Sequence, residues 1–145
     1  MKISKLIEPL ENIYYSIRRT VNSKTYNIKS RCQRFKRGYS YGDVWDMDDW
    51  FIQTAKPMLT HLKNHGLSYP TTFKSREEWE QVLSEMIGCL ELMSRDGAYD
   101  YLGFCKFEDR MCITSEDYAR VNDVMMANKN KFFELFSEHF YDIWD

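Results

Sequence analysis

Apolar residues recur along this chain at three- and four-residue steps, the spacing that lays one face of an α-helix against a core. The first run is Ile3, Leu6, Ile7, Leu10, Ile13, Tyr14 and Ile17, an amphipathic helix in which Pro9 starts or kinks the regular part. Residues 21–27 read as a connection, and a short basic helix over about 28–37 ends at Gly38. Ser40-Tyr41-Gly42-Asp43 then has capping-box spacing, with Asp in place of the usual Glu. Tyr41, Trp45, Asp48, Ile52, Ala55, Leu59 and Leu62 follow on one face. The pattern predicts a long helix opened at Ser40, kinked at Pro57 and stopped at Gly66.

Two further starts carry the same signature. Ser75-Arg76-Glu77-Glu78 opens a helix that turns Trp79, Val82, Leu83, Met86, Ile87, Leu90 and Met93 inward and breaks near Asp96-Gly97. Thr114-Ser115-Glu116-Asp117 opens the last helical region. Its stripe is Tyr118, Val121, Met125, Phe132, Leu135, Phe136, His139, Phe140 and Ile143, and asparagines at 128 and 130 favour a break there. Between these, residues 97–113 hold glycines and alternating aromatics without a helical period. A loop and a short hairpin both fit Tyr99, Tyr101, Phe104 and Phe107. The expected fold is all-α: a bundle of four to five helices with an N-terminal amphipathic helix and one irregular loop or short hairpin near 97–113. Residues 1–27 form the amphipathic helix and linker, suited to oligomerisation, and residues 28–145 form the bundle.

Composition narrows the class. The chain has 145 residues, 43% of them hydrophobic, 16% aromatic and 29% charged, with six glycines and three prolines. A globule of this length buries roughly 68–70% of its unfolded surface, which removes the need for a disulfide or metal staple. No run of eighteen apolar residues occurs, so no membrane-spanning helix is expected. The basic start Met1-Lys2-Ile3-Ser4-Lys5 lacks an uninterrupted apolar core after it, which argues against a secretion signal and for the cytoplasm. Cys32, Cys89, Cys105 and Cys112 show no C-x-x-C spacing and read as free thiols.

Charge changes the picture. The net charge of −2 hides a split: residues 1–38 hold ten Lys/Arg and two Asp/Glu, a net of +8, and the remainder carries −10. The two parts attract each other within the fold or across an oligomer, or the basic part serves an outside anion.

Three constellations are candidates for chemistry. Asp48 stands on an apolar stripe, where a carboxylate must be paired or hydrogen-bonded. Arg37 is its expected partner, either as a structural pair or as part of a polar pocket for a ligand or metal, unless the helix turns Asp48 outward. The second is the basic-aromatic stretch Lys29, Arg31, Arg34, Lys36, Arg37, Tyr39 and Tyr41. Guanidinium and ammonium groups satisfy phosphates and tyrosine rings stack on bases, whereas a solvated helix face is the plainer alternative. An overall pI near 5.9 disfavours a nucleic-acid polymer. Third, His61 and His65 share one helix face, but H-x-x-x-H without a Glu and a third ligand is a weak metal signal. No nucleophile elbow, phosphate-binding glycine loop or dinucleotide fingerprint occurs, so no catalytic set is indicated and no cofactor is called for.

The stretch Arg37-Gly38-Tyr39-Ser40-Tyr41-Gly42-Asp43-Val44-Trp45-Asp46-Met47-Asp48 resembles a signature of small uncharacterised proteins of phages and prophages of Gram-positive bacteria. Tyr69-Pro70, Glu77-Glu78-Trp79, the Phe-rich run 132–136 and Ile143-Trp144-Asp145 extend the resemblance over most of the chain from about residue 28. It implies an accessory protein of the host cytoplasm, involved in host–virus interaction. The expected function is non-catalytic binding, with counter-defence by sequestering a phosphate-bearing nucleotide signal. The ligand contacts would be Arg34, Lys36, Arg37, Tyr39, Tyr41, Trp45 and Asp48, and a homo-oligomer is expected. Two alternatives stand beside it: an acidic inhibitor of a host nucleic-acid-binding or defence protein, and a metal-dependent nucleotide-degrading enzyme with Asp48 among its metal ligands.

Overall fold

A computed structural model of the chain describes residues 26–104 and 113–143. Among these there are five helices and no strand, in agreement with the all-α expectation. They are α1 (26–37), α2 (Met47–His65), α3 (Arg76–Met93), α4 (Arg95–Tyr101) and α5 (Ser115–Glu138). Among the described residues no helix is long and apolar enough to cross a membrane. The amphipathic run over residues 3–17, and Phe107, lie outside the described residues. Backbone packing divides the chain into two units, Met1–Met47 and Asp48–Asp145.

The larger unit is built from local signals that agree with burial. Ser75 caps α3 by accepting the Glu78 N–H, while the Glu78 carboxylate accepts the Lys74 N–H. Trp79, Leu83, Met86 and Leu90, four of the expected inward residues, are at most 2% exposed. Val82, Ile87 and Met93 pack around them half-buried. Thr114 and Asp117 form a full reciprocal capping box at the start of α5. α3 and α5 make the main helix–helix contact, and α2 joins the same core through Phe51, Ile52 and Leu59. Fully buried Phe132 sits at its centre, edge-on to Phe51 at 5.8 Å and stacked on Phe136 at 5.4 Å. Ion pairs Lys56–Glu91 and Lys131–Glu85 tie α3 to α2 and to α5 at its surface.

Three expectations about boundaries need correction. The long second helix starts at Met47, not at Ser40, because residues 41–45 form turns. The break expected near Asp96-Gly97 falls at Ser94, and 95–101 is helical, so the first part of the segment assigned to a loop or hairpin is α4. Ser94 makes the corner by itself: its N–H bonds the Glu91 carbonyl, and its hydroxyl accepts the Gly97 N–H. Gly97 packs against α3 so closely that a Cβ there would collide with the Glu91 carbonyl oxygen. α5, finally, runs unbroken through Asn128-Lys129-Asn130; Asn128 turns its amide back onto the Val124 carbonyl at 2.8 Å. α4 and α5 enclose a second small core of Ala98, Tyr99 and Val121.

Candidate anion-binding face

The described part of the smaller unit is one helix and the loop folded on its end. α1 stops at Gly38, whose φ of +81° places it in the left-handed region and whose N–H bonds the Arg34 carbonyl at 2.8 Å. A glycine at this position carries no Cβ penalty, which is why it terminates the helix. The chain then turns back through Ser40–Trp45. The Ser40 N–H donates to the Asp43 carboxylate at 2.7 Å, half of the capping-box geometry, yet no helix follows. The other demand on Asp43 comes from α1: Arg34 donates two parallel hydrogen bonds, Nε at 2.9 Å and Nη2 at 2.5 Å. A planar guanidinium matched to a carboxylate in this way is both strong and directional.

That bidentate pair, followed by the Ser40 N–H, holds the Asp43 carboxyl well below the usual carboxylate range. Ser40 and Asp43 are 1% and 9% exposed. Tyr26 covers the turn from the other side; a Cβ on Gly42 would lie 2.7 Å from its hydroxyl.

The latch settles what each cation is free to do. Arg34, expected as a ligand contact, is committed to Asp43. Arg37, expected to pair with Asp48, is instead gripped by its own loop. Its guanidinium lies 4.2 Å from the Tyr41 ring centre and 4.8 Å from that of Tyr39, and its Nε donates to the Tyr39 carbonyl at 3.1 Å. Asp48 is exposed in the first turn of α2, where its charge suits the helix dipole. The apolar stripe on which it was placed begins only at Phe51 and Ile52. The capping-box spacing marks Asp43 as a helix cap, and the structure makes it instead the buried acid of a pair with the largely exposed Arg34.

What remains is an exposed basic-aromatic face. Lys29 and Lys36 are seven residues apart and share one side of α1. The Arg37 hydrogen bond, then the Arg37 charge and last the Lys29 charge, pull the Tyr41 phenol below its ordinary value. Lys29, Arg31, Lys36 and Arg37 have no acid within ion-pair distance among the described residues. Phe35, Tyr41 and Trp45 are 94%, 62% and 88% exposed. The Tyr41 N–H is held by the Gln33 side chain at 3.0 Å, so the loop that carries the rings is fixed to the helix that carries the charges. Chemically the face offers fixed guanidinium edges, mobile ammonium groups and open ring faces, the set that meets phosphate and a flat base.

The larger unit offers a different surface. Trp50, Met58, Phe136 and Phe140 wall a groove of about 370 Å³ between α2 and the C-terminal end. Its lining carries no charge, so it is unsuited to a phosphate. Among the described residues no group of three or more His, Cys, Asp or Glu side chains converges as a metal site. No family model, no curated protein and no solved structure matches this chain.

Proposed function

We propose that this chain is a non-catalytic binding protein that captures a phosphate-bearing nucleotide on α1 and the loop 38–45. The observation that carries the proposal is the Arg37 clamp. A guanidinium on a free surface loses side-chain entropy when it binds an anion, and here the two tyrosine rings and the Tyr39 carbonyl have already fixed it. Arg34 contributes indirectly, by locking the loop through Asp43. Lys36 and Lys29 supply further positive charge, and Trp45 and Phe35 supply open rings for a base. On this reading, which leans on the sequence's resemblance to phage and prophage proteins, the capture serves counter-defence against a nucleotide signal in an infected host cell.

Calorimetry with a panel of cyclic nucleotides and ADP-ribose-type nucleotides tests the proposal. At least one should bind, more weakly as salt rises, because exposed charges are screened. Arg37→Ala should weaken that binding on the order of tenfold, about 1.4 kcal/mol, and Asp48→Ala should leave it unchanged. Absence of heat from every member of the panel at low salt would remove the proposal.

A further inference from the structure

The last two turns of α2 bring His61 and His65 together on an exposed face. Their ring centroids are 4.5 Å apart with planes tilted by 33°. Two imidazole nitrogens bound to one ion at about 2.0–2.1 Å, in adjacent coordination positions, leave their ring centroids roughly 4.5–5 Å apart. The centroid separation matches that of two rings on one ion, and four residues on one α-helix brings two side chains this close.

The surroundings favour a cation. The site lies at the C-terminal end of α2, where the unpaired carbonyl ends of the helix make the potential negative. Asn64, three residues after His61, lines the same open recess as both histidines, together with Pro57 and Thr60; its volume is about 450 Å³. Asn64 thus brings a side-chain amide to the same recess. The one lysine of that recess, Lys56, has its ammonium on the Glu91 carboxylate across on α3. Lys63, two residues from each histidine, projects from another side of the helix.

From this arrangement we infer that His61 and His65 form a two-imidazole binding site for a divalent transition cation, of the zinc, nickel or copper class. The remaining positions fall to Asn64 and solvent. Imidazole nitrogen suits these ions, whereas magnesium and calcium demand a mostly oxygen shell. The site is separate from the anion-binding face proposed above and stands or falls independently of it.

The experiment uses the full chain and Ni²⁺ alone, followed by ¹⁵N-edited NMR of the histidine rings and by calorimetry. Paramagnetic Ni²⁺ should broaden the His61 and His65 ring signals first and spare His139, whose ring is packed against Phe73 and Trp79. Either His61→Gln or His65→Gln should weaken Ni²⁺ binding at least about tenfold. Both positions are exposed, so the substitutions leave the helical core in place, and an unchanged helical circular dichroism spectrum checks this. Equal affinity in the His61→Gln/His65→Gln double variant, or equal broadening of all three histidines, would overturn the assignment.

Discussion

The two described regions of this molecule hold their shape by opposite means. In the larger unit the buried side chains are apolar: Leu83, Met86, Leu90 and Phe132 are 1% exposed or less, and its polar groups sit at caps and corners. In residues 26–47 the two buried side chains, Ser40 and Asp43, are polar, while Phe35 and Trp45 face outward. Apolar burial is non-directional and supplies most of the free energy of folding. A bidentate Arg–carboxylate pair is directional and contributes little net free energy, since the groups were well hydrated before folding. The first arrangement makes a stable body. The second fixes one loop conformation and leaves Phe35, Lys36 and Trp45 exposed around it, which is what a binding surface requires.

The sharpest test of this contrast sets one large side chain from each region against the other. Phe132→Ala should destabilise the protein by about 3–5 kcal/mol, through lost transfer energy and the cavity left behind. Trp45→Ala should stay within about 0.5 kcal/mol, because an 88% exposed ring gives up little on removal. Urea denaturation measures both, and comparable losses would break the distinction. A smaller effect probes the corner between α3 and α4. At an unobstructed helical position Gly→Ala stabilises by up to about 1 kcal/mol. At Gly97 the sign should reverse, with a loss of about 1–3 kcal/mol from the clash with the Glu91 carbonyl. A stabilised Gly97→Ala variant would show that the helices yield there.

The contrast also explains what could be read from the chain. α3 and α5 were legible because their caps, their periodic residues and their burial all say the same thing; Trp79, Leu83, Met86 and Leu90 were expected inside and are. α4 was not, since Gly97 looks like a breaker when its glycine answers to the neighbouring helix. The Ser40–Asp43 spacing reads as a helix start, yet a carboxylate accepting the N–H three residues earlier makes an isolated turn as readily. What decides between them is Arg34, nine residues upstream, and pairing at that range leaves no local trace. The stripe through Tyr41 and Trp45 extends the helical period by chance into a segment that is not helical, and Asp48 falls in the exposed first turn of α2. Of the seven expected contact residues, Arg37, Tyr39 and Tyr41 do come together, though the rings grip the arginine itself. Lys36 and Trp45 stay exposed nearby, and Arg34 and Asp48 have other roles.

The smallest expected effect on global stability is the most informative about the loop. Asp43→Asn keeps the shape of the side chain and removes its charge, so Arg34 loses its bidentate partner and the Ser40 N–H its strongest acceptor. Hydrogen exchange at the Ser40 amide should quicken markedly while the urea midpoint of the bundle moves little. Acid should do the same to the unaltered protein, in a defined direction. The folded carboxyl is held below its unfolded value, so the unfolded state binds the proton more readily, and the latch's contribution is complete above the ordinary Asp value of about 3.9. It is lost only as pH falls from there through the depressed folded value. Exchange at Ser40, corrected for its intrinsic pH dependence, should therefore be flat between pH 8 and 5 on the order expected for an intact pair. If Asp43→Asn instead lowered the urea midpoint as far as Phe132→Ala, the polar latch would be part of the same cooperative structure as the apolar core. The loop would then owe its shape to the whole fold and not to one buried carboxylate.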